Sequence, residues 1–160
     1  MMAAPTKNLV DIIPEQTEYL ANLDDSVSSL EQMQINSIKW MVDKIKSPTL
    51  SYKTPKAMLM GATAKYWKSV LNYNQVETAK KLTLPILILN GERDYQVTML
   101  EFDTWHEELN AHKNVQYHYY PKLNHLFLEG EGKPNPTEYD IPGHLPQIVI
   151  DDLVKFIVEK

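Results

Sequence analysis

The apolar run at residues 86–89 (Ile-Leu-Ile-Leu) restricts the fold of this 160-residue chain more than any other segment. Pro85 and Gly91 bound it on either side. A strand with one solvated face alternates apolar and polar residues, whereas a strand buried on both faces of a parallel sheet is apolar throughout. The run therefore predicts a central strand of a parallel sheet, and with it an α/β fold.

The segment after this run has the pattern of a helix followed by a second strand. Thr98 and Glu101 have the spacing of a capping box, so we expect a helix to begin there. Residues 115–120 alternate in the manner of a half-buried strand. The inner face of the helix is expected to carry Met99, Phe102, Trp105 and Leu109. Strand, helix and strand within about 35 residues have the size of a βαβ unit.

The chain before the apolar run is predicted to be helical. Apolar residues recur at helical spacing over about residues 8–23, and again from a capping box of Ser28 and Glu31 to about Lys46. These two segments predict a helical hairpin. Shorter helices are expected at about residues 64–73 and 75–82.

A last helix is predicted over about residues 146–158. The residues expected on its buried side are Val149, Ile150, Leu153, Val154 and Ile157. Two parallel strands do not make a sheet, because parallel sheets are normally flanked by further strands and buried on both faces. We therefore interpret the sequence as the back half of a larger α/β domain.

Composition excludes several classes of function. A net charge of -5 argues against a nucleic-acid binder that relies on general phosphate attraction, and no phosphate-binding glycine loop occurs. The chain has no cysteine, which excludes disulfide scaffolds, thiolate metal sites and cysteine nucleophiles. No apolar run approaches the ~20 residues of a membrane span. Residues 1–6 lack the features of a signal peptide, so a cytoplasmic location is slightly favoured.

Two candidate catalytic residues follow the two predicted strands. Asp94 comes directly after the apolar run, and His125 comes directly after the strand at residues 115–120. The carboxyl ends of adjacent parallel strands lie side by side, and functional groups of α/β sheets are found there. An aspartate held against one imidazole nitrogen fixes the tautomer and leaves the other nitrogen to act as a base. The sequence therefore predicts that Asp94 and His125 lie within hydrogen-bonding distance.

Other interpretations of these residues are open. Asp94 could simply form a turn and pair with Arg93, and His125 could be a loop histidine packed between neighbouring leucines. A metal site that combines Asp94 with His118, His125 or His144 is a further alternative. We expect none, because the chain has neither an H-x-x-x-H nor an H-E-x-x-H pattern.

These segments make the sequence recognisable. Residues 85–97 resemble the strand and acid loop of α/β-hydrolase-fold serine hydrolases, and residues 120–127 resemble their histidine loop. Residues 130–144 are similar to the segment that follows the histidine in bacterial esterases, thioesterases and dienelactone-hydrolase-like members. The resemblance covers residues 74–160 well and residues 3–73 less specifically.

The resemblance implies an α/β fold of a particular kind, the C-terminal part of an α/β-hydrolase fold preceded by a helical lid. Residues 1–73 would form the lid, with the tail of a core strand at its start, and residues 74–160 would form the core. The activity implied is hydrolysis of an ester, thioester or related acyl bond. His125 would be the general base and then the acid, and Asp94 would orient it. No cofactor is implied, and the partner would be a small acyl substrate.

The chain also departs from the family pattern. The nucleophile elbow G-x-S-x-G and the H-G-G-G type of oxyanion loop are both absent. We therefore expect the serine to lie outside this chain, and the chain alone to be inactive. Tyr66 and Trp67 would line an acyl pocket, although an aromatic helix face is more often plain core.

The missing strands and nucleophile bear on association and on the alternative to an enzyme. The chain is predicted to form a homo-oligomer or to pair with a missing N-terminal half, because its sheet edge and helix faces would otherwise lack partners. The alternative to an enzyme is a non-catalytic remnant, whose Met-rich and aromatic helices form an interaction or oligomerisation surface.

Overall fold

The computed structural model describes residues 1–158 and divides into two compact units. One unit, Lys7–Gln75, is helical; the other combines residues 1–6 with the chain from Val76 onward and contains both strands. The main elements are α1 (Leu9–Ala21), α2 (Ser29–Lys46), α3 (Ala64–Leu71), α4 (Gln75–Ala79), β1 (Ile86–Gly91), α5 (Met99–Glu108), β2 (Val115–Tyr120) and α6 (Gln147–Val158). Short 3₁₀ helices lie at Lys56–Met58 and Pro136–Asp140.

The helical unit is built on the predicted hairpin of α1 and α2. The side chain of Asn8 caps α1 by accepting a hydrogen bond from the Val10 amide. The predicted capping box of Ser28 and Glu31 begins α2. The core of the unit consists of Val10, Val42, Ile45, Leu50, Leu59, Ala64 and Trp67. Whether this unit acts as a lid stays a prediction.

Strand β1 is buried along its whole length, as its unbroken apolar sequence predicts. Successive side chains of a strand point to opposite faces, so β1 contributes to two separate cores. On one face, Ile86 and Ile88 pack with Phe102 and Trp105 of α5. On the other face lies a second cluster, formed by Leu87, Leu89, Tyr120, Leu123, Phe127 and Val149. The α/β architecture expected from the sequence is confirmed.

Both edges of β1 form backbone hydrogen bonds. Strand β2 pairs with it in parallel, in a register that runs from Ile86 opposite Val115 to Gly91 opposite Tyr120. On the other edge, Met2 forms a parallel bridge with Leu89. The Ala3 amide donates to the Leu89 carbonyl, and the Leu89 amide donates to the Met1 carbonyl, both at 2.9 Å. The start of the chain therefore lies where a third parallel strand would lie.

The predicted capping box of α5 is wrong. Thr98 is the N-terminal cap, but its side chain makes no capping hydrogen bond. The Glu101 carboxylate is buried and accepts hydrogen bonds from the backbone and the hydroxyl of Thr6, with the backbone bond at 2.6 Å. The Glu101 carboxylate therefore binds Thr6, which is distant in sequence, instead of capping the start of α5.

The buried side of α6 is narrower than predicted. Val149 is fully buried, and Leu153 and Phe156 pack against the same cluster. Ile150, Val154 and Ile157 were expected to be buried but are 38%, 52% and 64% exposed. The spacing of 149, 153 and 156 is one stripe of a helix, and the remaining apolar residues fall outside it. None of the helices in the described part of the chain has the length and apolar character that a membrane crossing requires.

We expect Gly91→Ala to weaken the junction between the two strands strongly. A Cβ atom at Gly91 would lie 2.2 Å from the Leu123 carbonyl oxygen, and backbone cannot rotate away as a side chain does. The free energy of unfolding should fall by about 3 kcal/mol in urea titrations. The control is Gly61→Ala. Gly61 has a positive φ of +81°, but an added Cβ there would meet no atom within 4 Å. The free energy of unfolding should therefore fall by only about 1 kcal/mol. Equal losses in the two variants would contradict this account.

Candidate active site

The acid loop, residues 92–97, connects β1 to α5 and folds around the carboxylate of Asp94. The side chain of Asp94 is 0% exposed. Its Oδ1 accepts hydrogen bonds from the amides of Gln96 and Val97, at 2.8 and 2.9 Å. This pattern is an Asx-type turn, in which a side-chain oxygen replaces a backbone acceptor. One carboxylate oxygen therefore holds the loop, and the other is available to a second group.

The histidine loop, residues 121–129, follows β2 and is closed on itself. Leu123 and Glu129 form an antiparallel bridge, and Phe127 has a positive φ of 57° that turns the chain back. Leu123 and Phe127 are both buried in the core beneath the loop. Asn124 lies inside it, and its side-chain oxygen accepts from the amides of Leu126 and Leu128. Buried anchors on both sides of His125 therefore fix the backbone that carries it.

The two loops bring Asp94 and His125 into direct contact. Nδ1 of His125 lies 2.8 Å from Oδ2 of Asp94. An ionised carboxylate can only accept, so the imidazole Nδ1–H donates. The histidine side chain is 29% exposed, and its Nε2 makes no hydrogen bond within residues 1–158. The contact predicted from the adjacent carboxyl ends of the two strands is therefore found, with Nε2 of the ring left as a proton acceptor.

Asp94 does not pair with the neighbouring arginine. The Arg93 guanidinium instead pairs with Glu138, with Nη1–Oε2 at 3.1 Å and Nη2–Oε1 at 2.5 Å. The next residue, Tyr139, accepts a hydrogen bond from Gln96 Nε2 at 3.0 Å. Sequence reasoning missed both residues, because they lie in a 3₁₀ helix more than 40 residues after the acid loop and belong to no motif.

The other residues singled out from the sequence lie elsewhere. Trp67 is a core residue of the helical unit, and its indole Nε1 donates to the Leu59 carbonyl at 2.7 Å. Tyr66 is 45% exposed and contacts the Trp67 ring edge-on. A role for either in a substrate pocket stays a prediction. His118 lies 3.4 Å from an Asp152 oxygen. Within residues 1–158 no group of three or more histidine, aspartate or glutamate side chains is placed to hold a metal ion.

Comparison with known proteins decides the family. The profile of the dienelactone hydrolase family matches residues 49–141, more than half of the chain. The chain belongs to the dienelactone hydrolase family. The match includes both Asp94 and His125, and the parallel strand pair with its flanking helices is part of an α/β-hydrolase fold. The resemblance described from the sequence is thereby confirmed.

One relative supports the same assignment. The chain is 33% identical over 159 residues to Esterase EstD of Thermotoga maritima. The alignment covers 99% of this chain and 36% of the esterase, so the chain spans about a third of that relative's length. No solved structure matches the chain.

Substitutions of Asp94 should separate its structural role from its contact with His125. Asp94→Ala removes the acceptor of the buried Val97 amide and of the partly buried Gln96 amide, which costs about 1–3 kcal/mol of the free energy of unfolding. Asp94→Asn keeps a side-chain oxygen that can accept from both amides, so the free energy of unfolding should fall by less than about 1 kcal/mol.

The measurement is the free energy of unfolding in urea. Asp103→Ala is the matched control, because Asp103 is an exposed carboxylate on α5 and should change stability by no more than about 0.5 kcal/mol. A chain with Asp94→Ala that is as stable as the asparagine variant would contradict the structural role.

Proposed function

We propose that Asp94 and His125 are the acid and the base of a Ser-His-Asp triad that hydrolyses an ester, thioester or related acyl bond. The observation that carries the proposal is the 2.8 Å contact between a buried carboxylate and an imidazole whose second nitrogen has no hydrogen-bond partner among the described residues. Two comparisons support it: the chain belongs to a hydrolase family, and the relative described above is an esterase.

In this mechanism His125 takes up and releases one proton in each of two half-reactions. Its Nε2 takes the proton of the serine hydroxyl as the serine oxygen attacks the acyl carbon, and Asp94 stabilises the imidazolium that forms. The same nitrogen then protonates the leaving alcohol or thiol as its bond to the acyl carbon breaks. Water repeats the sequence on the acyl-serine and releases the acid.

The serine of the proposed triad is contributed from outside these 160 residues. None of the seven serines in the sequence lies in a G-x-S-x-G motif. Several have other tasks in the structure: the Ser28 hydroxyl caps α2, and the Ser69 hydroxyl donates to the Tyr66 carbonyl.

The proposal predicts where a fluorophosphonate probe reacts. In the protein expressed from its natural gene, the adduct should form on a serine outside the 160 residues, and the isolated chain should not react. His125→Ala should lower kcat by roughly 10⁶-fold, because the serine loses its base. His112→Ala, in the loop between α5 and β2, is the control and should retain activity.

Two results would refute the proposal. One is a stoichiometric adduct on any of the seven serines of the chain. The other is hydrolysis of p-nitrophenyl acetate that survives His125→Ala undiminished.

A second candidate, an interaction or oligomerisation module, is favoured by the apolar residues on the outside of α6. Ile148, Val154 and Ile157 are each more than half exposed. Exposed apolar residues on one helix are typical of a surface that another chain covers. The chain is therefore proposed to self-associate or to pair with a further segment of its own protein.

Light scattering tests the association. At micromolar concentration the isolated chain should form a dimer or larger species, with an interface above ~1,000 Å². Val154→Lys should shift it toward the monomer, whereas Lys155→Ala, a substitution of the next residue on α6, should not. A cooperative monomer in the unmodified chain would contradict self-association.

A further inference from the structure

We infer that Glu138 is a positioning residue for the proposed reaction: it holds the acid loop and the histidine loop together through Arg93 and Asn124. The inference rests on the proposed function and adds a third segment to the site. Glu138 itself does not touch Asp94 or His125, and it acts through the residues that precede each of them in the chain.

The first observation is that one carboxylate serves both loops. Oε2 of Glu138 accepts from Arg93 Nη1 at 3.1 Å and from Asn124 Nδ2 at 3.1 Å. Its Oε1 accepts from Arg93 Nη2 at 2.5 Å. Arg93 directly precedes Asp94, and Asn124 directly precedes His125. A displacement of Glu138 is therefore transmitted to both members of the catalytic pair by a single peptide unit on each side.

On the histidine side, Glu138 orients an amide that organises the loop. Asn124 is 1% exposed, and its side-chain oxygen accepts from the amides of Leu126 and Leu128 at 3.0 and 3.2 Å. These bonds require the oxygen to face inward and the NH₂ group to face Glu138. Without the carboxylate the NH₂ group would be buried and unpaired, and rotation of the amide would break the two loop bonds.

On the side of the acid loop, the Arg93 guanidinium is nearly buried. Arg93 is 11% exposed at its side chain, and Nη2 also donates to the carbonyls of Glu131 and Gly132. A Cβ atom at Gly130 would lie 2.1 Å from Nη1, so a side chain there would force the guanidinium to shift. Nε is buried without a partner in the described residues. The paired carboxylate of Glu138 is thus the main compensation for a nearly buried cation.

The charge of Glu138 persists well below neutral pH. Hydrogen bonding to the Arg93 guanidinium is the main cause that lowers the pKa of the Glu138 carboxyl, and the Asn124 amide adds to it. A lowered folded-state pKa means that the pair stabilises the fold above the pKa of an unfolded glutamate. This stabilisation is lost as the pH falls through the lower folded value. The hydrogen bonds of Glu138 to Arg93 and Asn124, which we call the clamp, therefore keep their negatively charged acceptor at neutral pH.

The kinetic test uses the protein expressed from its natural gene. Glu138→Ala should lower kcat for a p-nitrophenyl ester roughly 10- to 100-fold, because small misplacements of a catalytic pair are costly, and KM should stay within about twofold. Glu138→Gln, which keeps an acceptor, should recover part of the loss and covers the case in which the alanine variant does not fold. Gly130→Ala should reproduce the defect without removing any polar group, because its Cβ would lie 2.1 Å from Arg93 Nη1 and displace the guanidinium.

Two variants of the same segment serve as controls. Tyr139→Phe removes the hydrogen bond from Gln96 to the same 3₁₀ helix but leaves Glu138 and Asn124 in place, so kcat should fall less than about threefold. Glu131→Gln changes an exposed carboxylate whose contact with Arg93 is through its backbone carbonyl, and kcat should not change. A kcat in Glu138→Gln and Gly130→Ala equal to that of the unmodified enzyme would overturn the inference.

A second readout does not depend on hydrolysis. In aromatic NMR spectra of the 160-residue chain, Glu138→Gln should shift and broaden the His125 ring signals, while Glu131→Gln leaves them unchanged. Unchanged His125 signals in the Glu138 variant refute the clamp. If His125→Ala leaves hydrolysis intact while Glu138→Gln still moves the ring signals, the proposed function fails and the clamp survives only as a structural element.

Discussion

The parallel pairing of β1 with β2 determines where everything else in the α/β unit can lie. Because Gly91 stands opposite Tyr120, both strands end at the same edge of the sheet and at the same level. The loops that leave them have little freedom, since the Leu123 carbonyl occupies the space where a side chain at position 91 would be. The register of the two strands therefore brings the loops of Asp94 and His125 together, and the two side chains then make the contact.

A buried carboxylate needs compensation, and the acid loop supplies it locally. Desolvation of an aspartate is costly unless hydrogen bonds replace the lost water. Asp94 receives two backbone amides at one oxygen and an imidazole at the other. The amides of Gln96 and Val97 belong to the loop between β1 and α5, so the loop that follows the strand also stabilises the charge. The imidazole is then held by a group that cannot rotate without breaking the turn.

Sequence patterns predicted the parts of this structure that depend on short-range order. The continuous apolar run gave the doubly buried strand, and the pair Ser28 and Glu31 formed the capping box that their spacing predicts. Prediction failed where tertiary contacts decide. Glu101 has the spacing for a helix cap but accepts from Thr6, 95 residues away. Glu138 belongs to no motif, since only the folded chain brings it between Arg93 and Asn124.

The cores on the two faces of β1 differ in how they would open during partial unfolding. The face with Ile86 and Ile88 packs on α5, whereas the face with Leu87 and Leu89 supports the histidine loop and is covered by a narrow stripe of α6. Local opening follows the least buried contacts, so detachment of α6 would loosen Phe127 and the loop above it while the α5 side stays packed. The contact between Asp94 and His125 is therefore expected to be lost before the chain unfolds globally, while most of the secondary structure is still in place.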